Sequence, residues 1–99
     1  MGGTTVKRVT PGKDIVTPMA EEFRAELLEL VEDGVKALTV DLDGVGVVDS
    51  VGLGVLIAAH NSLQKDDGVF TIKNASEDIY KLFKVMRLDQ HFEIYPNVA

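Results

Sequence analysis

The spacing of apolar and polar positions changes period several times along the chain, and each change marks an element. Val6 to Thr10 alternates apolar and polar residues, which predicts a short strand closed by the Pro11-Gly12 turn. From Met19 to Glu32 the period becomes helical. Met19, Ala20, Phe23, Leu27, Leu30 and Val31 share one face, while Glu21, Glu22, Arg24, Glu26 and Glu29 take the rest. Thr17 before Pro18 is placed to cap this helix, and Gly34 to stop it. Val35 to Leu42 is a strand, and Val45 to Val48 continues in strand-like fashion to Asp49-Ser50. Val51 to Gln64 is apolar around most of its circumference, which predicts a largely buried helix with Ser50 as its cap. Lys65 to Gly68 is a turn and Val69 to Lys73 a strand. Asn74 and Glu77 have capping-box spacing ahead of a helix with Ile79, Leu82, Phe83 and Met86 inward. Phe92 to Tyr95 is a short last strand. Strands alternating with helices of this length favour right-handed crossovers and an α/β fold.

Composition narrows the class. The chain has 99 residues, 45% hydrophobic and 26% charged, the balance of one ordinary globular domain. Ten basic against sixteen acidic side chains leave a net charge of −6. Nucleic-acid affinity rests on Lys and Arg displacing counterions, so nucleic acid is not an expected partner. With no Cys, thiolate metal sites, disulfides and cysteine nucleophiles are excluded. Two isolated histidines, His60 and His91, make a poor metal site, and no metal or cofactor is expected. No apolar run approaches the roughly 20 residues of a membrane span, and MGGTTVKRVT has no signal-peptide core. The expected location is the cytoplasm, away from any membrane. Phe23, Phe70, Phe83 and Phe92 are assigned to the core, and both histidines to ordinary surface or hydrogen-bonded roles.

Candidate chemistry concentrates in Thr39 to Leu56, TVDLDGVGVVDSVGLGVL. Asp41-Leu42-Asp43-Gly44-Val45 after a strand resembles the first motif of haloacid-dehalogenase phosphatases. In that reading Asp41 attacks phosphate, Asp43 serves as acid, and Mg²⁺ neutralises charge. Those enzymes need a longer chain with later Ser/Thr and Lys motifs, and Lys65-Asp66-Asp67 in a turn is a poor substitute. Gly44-Val45-Gly46 begins a dinucleotide fingerprint, but Asp49 stands at the third glycine and would repel pyrophosphate. Asp49-Ser50-Val51-Gly52-Leu53-Gly54 explains more residues. It joins a hydrophobic strand to a hydrophobic helix, and its glycines each cost roughly 1 kcal/mol against Ala in a helix. Such a cost implies close backbone approach, to the neighbouring strand or to another protein.

This segment is similar to the signature of the STAS domain (sulfate transporter and anti-sigma factor antagonist). The spacing from Asp41 through Asp49-Ser50 to Gly52-Leu53-Gly54 agrees without a gap. The likeness continues through VFTIK, Asn74-Ala75-Ser76 and IYKLFKVMRLDQHFEI, covering roughly Asp14 to Ile94. It implies a single domain over 1–99, with 1–13 a short N-terminal strand region reduced from the family's hairpin. The implied sheet is mixed, of four or five strands, with helices mainly on one face. It also implies a bacterial anti-sigma factor antagonist without catalysis of its own. Such a protein binds an anti-sigma factor that is often also a serine kinase. Phosphorylation of the serine after the motif's Asp, here Ser50, blocks binding, and a phosphoserine phosphatase restores it. Val51 removes the second hydroxyl many members carry there, which leaves Ser50 the sole local acceptor. The implied partner surface comprises Asp14, Asp49, Ser50, Val51, Gly52, Leu53 and Asn74. A scaffolding STAS protein whose serine goes unused is the alternative within the fold.

Overall fold

The structure, a computed structural model, describes residues 5–97. Four strands form the sheet: β1 (Thr5–Val9), β2 (Val35–Asp41), β3 (Val69–Ala75) and β4 (Glu93–Pro96), in the order β1-β2-β3-β4. Between them run α1 (Thr17–Glu32), α2 (Ser50–Lys65) and α3 (Glu77–Val85), the last followed by a short 3-10 turn, Leu88–Gln90. Strand count and α/β class match the expectation from sequence. Strand direction differs: every pairing is parallel, where a mixed sheet was expected. Each strand is separated from the next by a helix, so each returns to the same starting edge, and β4 obeys this like the others.

Leu38 and Val40 of β2, Phe70 and Ile72 of β3, and Ile94 of β4 point under the helices and are buried. Against them lie Ala20, Phe23 and Leu27 of α1, Leu53, Leu56, Ala59 and Leu63 of α2, and Ile79 and Phe83 of α3. The four phenylalanines are core, each at 7% exposure or less. The apolar length of α2 is explained by its position, packed against both α1 and β3. Leu82 and Met86 were expected to face inward, but α3 turns them to solvent, at 41% and 46% exposure. That helix has little to cover beyond its neighbouring strands, so a two-residue stripe, Ile79 and Phe83, suffices. His60 is half-buried, its ring centroid 5.1 Å from that of Phe92. Burial, and then the charge of nearby His91, lowers its pKa below the usual histidine range.

Val45 to Val48 is not a strand. Val45 and Val48 are buried as anchors of a loop, and only Val48 makes a bridge, to Ile15. The segment lies beyond the end of β2, where no continuous strand runs beside it.

Candidate functional site

Because the strands are parallel, the loops following β1, β2 and β3 all emerge at one edge of the sheet, the usual place for function in such folds. Residues 10–16 and 42–49 are sewn together there. Ile15 donates its amide to Val47 O at 2.9 Å, and Asp49 donates its amide to Ile15 O at 3.1 Å. Asp14 Oδ1 accepts from the amides of Gly46 and Val47, at 2.8 and 3.0 Å. Gly52 explains its own identity, since a Cβ there would sit 2.1 Å from Ile15 O. Gly54 has nothing within 4 Å of its would-be Cβ and lies exposed.

Ser50 is not the cap of α2. Asp49 is: its Oδ1 accepts the Gly52 amide at 2.8 Å, and Ser50 becomes the first helical residue. The other oxygen of Asp49 reaches α1, accepting from the Thr17 amide and the Thr17 hydroxyl, each at 2.8 Å. Thr17 is therefore not a cap either; Val16 holds that place without a side-chain bond, and Thr17 spends its hydroxyl on Asp49. One carboxylate thus satisfies first-turn amides of two helices, where the helix dipoles favour negative charge. The Gly52 amide, then the Thr17 amide and hydroxyl, hold the Asp49 carboxyl below the usual carboxylate range.

The Ser50 hydroxyl is left over. It is exposed and makes no hydrogen bond among the described residues, with exposed Val47 (51%) and Val51 (47%) nearby in the chain. Of the expected partner surface, Ser50, Val51 and Asp14 are exposed and Asp49 is half-buried. Gly52 and Leu53 of that expected surface are buried: one backs onto Ile15, the other is 6% exposed in the core. Val47 and Gly54, close to them in the chain, are exposed. Val47 was readable only as part of a strand, which hid its exposure.

Asn74 is half-buried at the same edge, in a left-handed conformation (φ 59°) one residue before the end of β3. It does not cap α3; Ser76 does, accepting from the Ile79 amide at 3.3 Å. The Asn74 amide donates instead to Asp41 Oδ1 at 2.9 Å, which also accepts from the Asp43 amide at 2.9 Å. Arg8 of β1 pairs with Asp41 Oδ2. Asp41 is 6% exposed; burial raises its pKa, but the Arg8, Asn74 and Asp43 hydrogen bonds outweigh this and hold it below the carboxylate range. Both its oxygens are engaged in tying three strand ends together, which leaves no free lone pair aimed at a substrate. Asp43 is exposed, and its bond to Asp41 is through its backbone amide. Among the described residues no group of three or more His, Cys, Asp or Glu could hold a metal ion. No helix there is long and apolar enough to cross a membrane.

The sequence matches the STAS domain family over residues 4–99. It is 32% identical over 75 residues to the anti-sigma-B factor antagonist of Bacillus subtilis, covering 76% of this chain and 68% of that protein. The chain spans about two thirds of the length of the curated relatives it matches, down to 61% for the one from Listeria monocytogenes. Its fold superposes on the crystal structure of an anti-sigma factor antagonist from Mycobacterium paratuberculosis, with a TM-score of 0.82 and 26% identity. That alignment covers 99% of this chain and 83% of that one. A more distant fold neighbour is the Bacillus cell fate determinant SpoIIAA in its phosphorylated form. There the TM-score is 0.69 and the identity 18%, over 95% of this chain and 86% of that one.

Proposed function

The chain belongs to the STAS domain family, and we propose that it is an anti-sigma factor antagonist switched by phosphorylation of Ser50. Its partner is a cytoplasmic anti-sigma factor with serine-kinase activity, and a phosphoserine phosphatase reverses the switch. The observation that carries this reading is the unused hydroxyl. Asp49 caps the helix, and Ser50 is exposed with its hydroxyl unbonded among the described residues. Exposed Val47 and Val51 supply apolar contact area close to it.

Phosphate adds about −1.5 to −2 charges at neutral pH. At the first turn of α2 the dipole and remaining amides offset that charge in the free protein, so the fold survives. A partner closing over Val47 and Val51 would have to desolvate the dianion beside the Asp49 carboxylate. Each 1.4 kcal/mol of that cost is tenfold in affinity, and burying such a charge unpaired costs several kcal/mol.

The test is capture from the host's own extract on immobilised wild-type and Ser50→Asp proteins, with retained proteins identified by mass spectrometry. Wild type should retain a kinase-fold protein that Ser50→Asp loses at least about tenfold. That retained kinase, given ATP, should phosphorylate wild type and leave Ser50→Ala unmodified. Equal retention by wild type and Ser50→Asp would refute the switch and favour a scaffolding role.

A further inference from the structure

Among the described residues no helix covers the sheet face turned away from α1, α2 and α3. Val6 (68% exposed), Val69 (54%) and Tyr95 (46%) lie on it. Parallel sheets are ordinarily covered on both faces. The pairing register orders this face into rows running across the strands. Val6, Ala37 and Val69 form the first row, and Arg8, Thr39, Thr71 and Glu93 the second. Asp41 and Lys73 belong to the third. Charge is therefore divided across the sheet. The second row has its cation on β1 and its anion on β4; the third has its anion on β2 and its cation on β3.

We propose that a second copy of this chain docks on this face, about a two-fold axis running along the strands between β2 and β3. This operation keeps strand direction and exchanges β1 with β4 and β2 with β3, so every row meets itself reversed. Arg8 faces Glu93 of the second copy, Thr39 faces Thr71, and Ala37 faces Val69. Lys73 approaches the Asp41 carboxylate, adding a second cation to the one Arg8 supplies. Each relation occurs twice, as a self-complementary contact requires. The other two-fold available in the interface plane runs across the strands along the second row. It would set Arg8 on Arg8 and Glu93 on Glu93, and like-charge contact disfavours it. Sheets of equal twist stack with strands aligned within about 30°, which the first axis satisfies. A depression of about 480 Å³ lined by Thr39, Thr71, Lys73, Glu93 and Tyr95 keeps the contact partly wet. Four short strands offer limited area, so the dimer is weak, with a Kd of roughly 10–100 μM.

Sedimentation velocity of the full chain from about 10 μM to 1 mM should show a concentration-dependent monomer–dimer equilibrium. Glu93→Arg and Thr71→Arg, both at water-facing positions, should each weaken it at least about tenfold with the circular dichroism unchanged. Arg8→Glu should do the same, and mixing it with Glu93→Arg should restore dimers, because both cross-pairs regain opposite signs. Arg8 also bonds Asp41, so if that variant fails to fold, the other two decide. A chain that stays monomeric at the top of the concentration range overturns the proposal. So does a dimer that Glu93→Arg and Thr71→Arg leave unchanged.

Discussion

Asp49 accepts hydrogen bonds from the first turns of two helices at once, and only its ionised form can accept at both oxygens without giving up a lone pair to a proton. Its pKa is lowered in the folded state, so its contribution to stability is present above its unfolded value of about 3.9. That contribution is lost as pH falls through the lower folded value. Asp49→Asn, whose amide nitrogen cannot accept from Thr17, should therefore melt below wild type at neutral pH. The gap should close in acid, as thermal melts from about pH 7 to pH 2 would show. Asp41 ties β1, β2 and the end of β3 together, and Asp41→Ala strands the Asn74 amide and the Arg8 guanidinium. Arg8 is half-exposed and recovers hydration, so the expected cost is about 2 kcal/mol in chemical denaturation rather than that of a fully buried pair. Sequence placed Asp49 and Ser50 at the right junction but gave the cap to Ser50. Both residue types cap helices well; the choice between them is made by Thr17, thirty-two positions away in the chain, which no local rule sees.

Helix α2 carries two glycines in its first two turns, and their surroundings predict opposite responses. Gly52→Ala gains helix propensity but drives its Cβ into the Ile15 carbonyl, a backbone group that cannot step aside. The expected net loss is about 3 kcal/mol. Gly54→Ala meets open space and should stabilise the fold by roughly 0.5–1 kcal/mol. Because Gly54 also belongs to the exposed strip near Ser50, the same variant should weaken partner capture while raising the melting temperature. Two glycines in a helical window signalled close approach from sequence alone, yet only one of them has it. Elements with long periodic patterns, α1, α2, β2 and β3, were legible to within a few residues. Val45 to Val48 was not, because apolar spacing in a loop that anchors itself in the core mimics a strand. The inward face of α3 was overread for a related reason: apolar periodicity marks which residues can be buried, not how much surface awaits them.

At the scale of the molecule, β2 and β3 are paired on both sides and β1 and β4 on one. Hydrogen exchange should rank Leu38 to Asp41 and Phe70 to Ile72 slowest, with Thr5 to Arg8 exchanging fastest within the sheet. The parallel direction of the last strand was beyond local reading, since a four-residue strand carries no mark of its direction; the intervening α3 decides it. That shared direction also governs how the protein can be tethered. The chain enters β1 at Thr5, on the edge opposite Ser50, and leaves β4 on the Ser50 edge, where the Asn97 amide is bonded to Ala75 O at 2.8 Å. An affinity tag or fusion partner attached beyond Asn97 would therefore lie at the same edge as Ser50, the surface of the proposed partner contact. One attached ahead of Thr5 stands off by the length of a five-residue strand, about 17 Å. Attachment ahead of Thr5 leaves the Ser50 edge open to solution; attachment beyond Asn97 would crowd it, and would mimic in wild type the loss of binding sought from Ser50→Asp.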